Sequence, residues 1–107
     1  MKNARHPEGM PSALEQRRFY TDNPRELRLL GHLLDREGAF REELDRAVGA
    51  SNSPDIVFRL RQRGFDIPCD RVTRTDRDGR PCKVGWYRLT AEAKRAARAV
   101  LMRSGLA

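Results

Sequence analysis

"ELDRAVGASNSPDIVFRLRQRG", residues 43–64, holds two short runs of helical periodicity separated by a glycine. In the first, which belongs to "FREELDRAVG", Leu44, Ala47 and Val48 share one helix face and Gly49 supplies the turn. In the second, Ile56, Val57 and Leu60 share one side, Ser51 or Ser53 can cap, and Pro54 falls in the first turn, where its missing N–H costs nothing. Gly64 ends the second run. Its other side carries Asn52, Asp55, Phe58, Arg59 and Gln62, and the function turns on what that side faces.

Upstream, "NPRELRLLGHLLDREG" predicts a longer helix. Asn23 caps it, Pro24 takes the first helical position, and Leu27, Leu30, Leu33 and Leu34 form an apolar stripe. Gly38 is expected to stop it, and Gly31 inside it implies a close helix contact. Before this helix, "ALEQRRFYTD" fits one turn that tucks Phe19 or Tyr20 onto the core. Residues 1 to about 14 are rich in Pro, Gly and Ser and lack periodicity, and a flexible arm over 1–18 is expected to precede a domain over 19–104.

Downstream of Gly64 the period changes. "FDIPCDRVTRT" and "RPCKVGWYRLT" are β-rich runs flanking "DRDG", a strong hairpin signal. Pro68 and Pro81 are restricted to strand ends, bulges or an edge. A turn centred on Asp78 and Gly79 pairs Cys69 with Arg88 rather than with Cys82, which argues against a disulfide. Tyr87, Leu89 and Val72 are expected on the core face, with Trp86 against the third helix or partly exposed. Phe58, which points away from Ile56 and Leu60, is expected to pack against the hairpin or an arm residue such as Phe19, with contact to a thymine methyl or a partner protein as the second alternative. Thr90 then caps a final helix with Ala93, Ala96, Ala97, Val100 and Leu101 on one face.

The chain has 107 residues, enough for one domain with one modest core, and a formal net charge of +7, which favours an acidic partner such as nucleic acid or anionic lipid. Residues 59–107 hold 13 of the 22 Lys and Arg but only 5 of the 15 Asp and Glu, so the excess follows Phe58. A solubilising surface would mix its signs more evenly. Nothing reads as a membrane span or a secretory signal, so a cytoplasmic setting with reduced thiols is expected. Two cysteines without CxxC spacing, and far in sequence from His6 and His32, give no metal site, and no cofactor is expected.

Two short helices joined by a glycine turn after a longer one make a helix-turn-helix, and a basic hairpin directly after it makes a winged helix. In this arrangement "ELDRAVGASNSPDIVFRLRQRGFDIPC", followed by "GRPCKVGWYRLT", resembles the winged helix-turn-helix domains of prophage and mobile-element proteins. The likeness covers roughly residues 23–90 and rests on the serine-led third helix, its Leu60-Arg61-x-x-Gly64 end, and Tyr87-x-Leu89-Thr90 closing the wing. The interval from Gly49 to Gly64 is about two residues shorter than in common winged-helix repressors, which implies an abrupt start to the third helix. The resemblance implies an α+β fold with three helices, a two-stranded basic β-hairpin wing and a C-terminal helix.

That fold leads to double-stranded DNA as the partner, in transcription regulation or a phage-type DNA transaction. The third helix would enter the major groove with Ser51, Asn52, Ser53, Asp55, Arg59 and Gln62. Asn52 and Gln62 suit adenine, Arg59 suits guanine or a phosphate, and Asp55 can accept from a cytosine amino group. Arg74, Arg77, Arg80 and Lys83 would set the wing on the backbone. The second helix, with Glu42, Glu43 and Asp45, would face away. Each residue also has a plain structural reading: the serines as caps, Asn52 as a first-turn residue, and the arginines of the third helix as solvated or paired with Asp66 and Asp70. A homodimer through the last helix is one option; closing the core is the simpler one. No P-loop, GxSxG, HExxH or usefully spaced Cys-His pair occurs, so no enzyme is expected. A protein-interaction adaptor on the same fold is the rival reading, favoured if Phe58 is exposed beside Trp86.

Overall fold

The computed structural model describes residues 18–106, so the expected arm lies outside the described residues except for Arg18. The chain runs α1 (Pro24–Leu34), β1 (Ala39–Phe40), α2 (Arg41–Val48), α3 (Ser53–Gln62), β2 (Cys69–Thr75), β3 (Pro81–Tyr87) and α4 (Ala91–Arg103). The described residues thus form an α+β structure of four helices and a three-stranded antiparallel sheet, ordered β1-β3-β2, which is compatible with a winged helix.

The third strand corrects the expected two-stranded hairpin. Ala39 pairs with Tyr87 and Phe40 with Trp86, so Phe40 belongs to β1 and serves as the N-cap of α2. A two-residue strand is too short for alternation to reveal it. Gly38 also differs from expectation. The helix stops four residues earlier, with Asp35 as its C-cap. At Gly38 the Trp86 indole lies over the backbone, where an added Cβ would meet the ring directly and fall 2.7 Å from the Tyr87 carbonyl. Trp86 therefore packs on β1, edge-on to Phe40 at 4.8 Å between centroids, and not on the third helix.

The hairpin register is one residue away from the expected one. Cys69 faces Tyr87 and Cys82 faces Arg74, with Thr75 opposite Pro81. The cause is the turn. Asp76 accepts from Gly79 N–H, its own N–H donates to the Arg80 carbonyl, and its side chain accepts from the N–H groups of Asp78 and Arg80. Gly79 takes φ 81°, so three residues, not two, make the loop. Both cysteines are free thiols. Pro81 opens β3 and Pro68 directly precedes β2, the strand ends to which proline is confined.

The core joins Leu27, Leu29, Leu30 and Leu33 of α1 to Leu44 and Val48 of α2, Ile56, Val57 and Leu60 of α3, and Ala93, Ala97, Val100 and Leu101 of α4. Phe65 and Ile67, in the segment before β2, complete it. Leu89 is buried, and Tyr87 packs on the core from its edge. Asn23 and Thr90 cap α1 and α4 through their side chains. Phe19 and Tyr20 both pack against the core, Phe19 edge-on to Phe65 at 6.0 Å. Arg28 donates to the Val48 carbonyl, binding α1 to the end of α2, where Gly49 turns the chain at φ 77°.

Candidate nucleic-acid interface

The N-terminal half of α2 positions both parts of the candidate site. The Asp45 carboxylate accepts from the backbone N–H of Ser53 at 3.0 Å, so the start of α3 is capped by the preceding helix rather than by its own serine. Arg41 donates to the Ser51 carbonyl, and its own carbonyl accepts from the Ser53 hydroxyl at 3.5 Å. One residue on, Glu42 accepts from Arg74 of β2 at 2.8 Å. Arg41, Glu42 and Asp45 also line one cleft with Val84 and Gly85 of β3. The beginning of α3 and the body of the hairpin are therefore both fixed to the same half of α2.

The acidic residues of α2 are all engaged. Arg74's hydrogen bond, with Glu42's own backbone N–H, holds the Glu42 carboxyl below its usual range. Burial opposes the charge of Asp45, but hydrogen bonds from Ser53 and the Arg41 guanidinium outweigh it and lower that carboxyl too. Glu43 meets His32 at 2.5 Å and Arg36 at 3.7 Å.

Helix α3 divides cleanly. Ile56, Val57 and Leu60 are buried, whereas Asp55, Phe58, Arg59, Arg61 and Gln62 are exposed. At about 100° per residue, Asp55, Phe58, Arg59 and Gln62 fall within about a quarter to a third of the helix circumference. Arg59 is tied to Asp55 at 2.7 Å within this stripe. Arg61, beside it, donates both Nε and Nη2 to the Ile67 carbonyl and serves the fold. Arg63 is bound to Glu26 and not to Asp66 or Asp70; Asp70 pairs with Arg88.

Three expected contact residues stand differently. Ser53 is completely buried, its hydroxyl turned to α2, which withdraws it from any outer surface. Asn52 is the N-cap residue of α3 but makes no side-chain cap, and its Oδ1 is buried without a hydrogen-bond partner among the described residues. Arg74, one pair from the last of the ladder, is turned back onto the fold. It lies over the Phe40 ring at 4.4 Å and binds Glu42. Ser51 is exposed, as are Arg77 and Arg80 in the turn and Lys83 within β3.

Phe58 is the residue that sequence reasoning misplaced. It packs on neither the hairpin nor Phe19 but stands 55% exposed on the outer stripe. Its position opposite Ile56 and Leu60 in the helical period is the signal that places it there, and the expected cover from the hairpin or Phe19 leaves it mostly exposed. Trp86 is not exposed beside it.

Among the described residues no helix is long and apolar enough to cross a membrane, and no cluster of three metal-ligating side chains occurs. No family model matches the sequence, and no curated protein matches it.

Proposed function

We propose that the chain is a winged helix-turn-helix protein of the prophage and mobile-element type that binds double-stranded DNA without catalysis. Helix α3 lies in the major groove, and the β2–β3 wing sits on the phosphate backbone. The observation that carries this reading is the joint attachment of α3 and the hairpin to the N-terminal half of α2, through Asp45–Ser53 and Glu42–Arg74. It couples an exposed helix face, of the width a groove accepts, to a basic hairpin tip. The net charge of +7 supplies the long-range attraction.

Base reading falls to Arg59 and Gln62, with Asp55 orienting Arg59 through their ion pair. Arg77, Arg80 and Lys83 supply phosphate contacts, and Ser51 lies at the groove edge. Ser53 leaves the contact set because of its burial; Asn52 is half-buried with its Oδ1 turned inward, so it does not present the pair of groups that adenine needs.

The test is selection from a random duplex library at two salt concentrations. Arg59→Ala and Gln62→Ala should each relax preference at a base position, by about 1–3 kcal/mol of discrimination. An Arg77→Ala, Arg80→Ala variant should weaken all sites together and lower the salt slope by about 2. Wild-type retention of no duplex at low salt would overturn the proposal. The adaptor reading is favoured by the exposure of Phe58 alone; it requires a partner interaction that salt leaves nearly unchanged.

A further inference from the structure

We infer that α3 discriminates the methyl group at C5 of a pyrimidine, and that Phe58 is the residue that meets it; this rests on the duplex-binding reading above. Three large hydrophobic side chains are exposed among the described residues: Phe58, Met102 and Leu106. Met102 and Leu106 lie together at the end of α4, whereas Phe58 stands alone in a polar helix face. Around the helix axis its neighbours on that face are Arg61 on one side and Gln62, Asp55 and Arg59 on the other. The Arg61 guanidinium is committed to the Ile67 carbonyl, so it turns toward the fold. The ring therefore stands at the edge of the polar stripe, roughly opposite the buried Ile56 and Leu60 and next to Gln62.

A phenyl ring offers no conventional donor or acceptor for a base edge. In the major groove nearly every group presented by the bases is a hydrogen-bond donor or acceptor, and the apolar exception is the pyrimidine C5 methyl. Thymine carries it always and cytosine only when methylated. Both would present the same small apolar surface to Phe58, beside a base read by Arg59 or Gln62. The ring is also free of a structural duty, because the buried side of α3 is filled by Ile56, Val57 and Leu60, each no more than 1% exposed. Phe58→Ala should therefore fold as wild type does.

The experiment begins with the preferred duplex selected by the full chain. Each thymine in it is replaced singly by deoxyuridine, which removes the methyl and leaves every hydrogen-bonding group. Each cytosine is replaced separately by 5-methylcytosine. For the wild type, one position should lose about fourfold in affinity on thymine-to-uracil exchange, or gain about fourfold on cytosine methylation, the size of one buried methyl group. The first result identifies thymine as the source of the methyl and the second identifies methylcytosine. Phe58→Ala should bind both members of that pair alike, with an unchanged melting temperature. The inference is overturned if wild type is indifferent at every position, or if Phe58→Ala keeps the discrimination, as a ring reserved for a protein partner would require. Binding without methyl discrimination removes this inference and leaves the duplex reading intact; absence of duplex binding removes both.

Discussion

Arg63, at the end of α3, donates to the Glu26 carboxylate of α1 across 3.0 Å, and Glu26 is 1% exposed. The same oxygen accepts from the Thr21 hydroxyl at 2.5 Å. The pair joins the first and third helices beneath the chain that enters at Phe19, whose N–H donates to the Arg63 carbonyl. Removing one partner strands a buried charge. Arg63→Ala should lower unfolding free energy by about 3 kcal/mol, read from denaturant midpoints. Glu26→Leu combined with Arg63→Met should recover most of the loss. A double variant as unstable as Arg63→Ala would show that burial of the charge is not the cause.

Gly31 faces α4 without being pressed by it. An added Cβ would lie 4.0 Å from Leu101 Cδ1, an ordinary contact, so the close helix approach expected from the glycine is not needed. Gly31→Ala should then stabilise the protein by about 0.5–1 kcal/mol through helix propensity. A thermal midpoint below that of wild type would mean that the two helices cannot give at all.

Asp45 makes the attachment of α3 sensitive to acid. Its carboxyl titrates below the ordinary value of 3.8 in the folded protein, so its contribution is fully present above that value and is lost as pH falls through the lower folded one. Asp45→Asn should cost about 1 kcal/mol near neutrality, in the range of a weakened helix cap. The gap to wild type should narrow toward about pH 2. Urea midpoints of the two proteins across acid pH measure this, and a constant gap would contradict it.

The ion pair of Glu42 and Arg74 is exposed, with side chains 58% and 39% accessible, so its loss should change stability by less than about 1 kcal/mol. Its effect on duplex affinity should be clearer. Glu42→Gln removes a negative charge beside the wing and releases Arg74, and should tighten binding by up to about fivefold at low salt. Arg74→Ala should lower the salt slope less than Arg77→Ala does. Equal slopes in a salt titration would mean that the pair already opens on the duplex.

The helices were legible in the sequence because each carries its own punctuation: Asn23 and Pro24 for α1, Gly49 for α2, Thr90 for α4. The hairpin was legible from Asp78 and Gly79, but its register was not. The side chain of Asp76 adds a residue to the loop through hydrogen bonds that no alternation pattern records. Strand β1 was hidden because two residues have no period, and its partners Trp86 and Tyr87 lie far along the chain. The candidate interface was half legible. Asp55, Arg59, Gln62 and the wing-tip cations follow from helical phase and charge. The inward turn of Ser53 and the capture of Arg74 depend on Asp45 and Glu42, and contacts between separate elements leave no local trace.

The unequal lengths of the strands give the sheet two mechanical regimes. Near Tyr87 and Trp86 the ribbon is held from both sides, by β1 and by β2; from Pro81 to Gly85 it has β2 alone. A two-stranded ribbon is weakly held by itself, so beyond the Arg74–Glu42 contact its outer end is a cantilever on a clamped root. It can bend to follow a curved surface while the helices behind it keep their places. Amide exchange should accordingly quicken along β3 from Tyr87 toward Pro81, a gradient set by where the shortest strand ends.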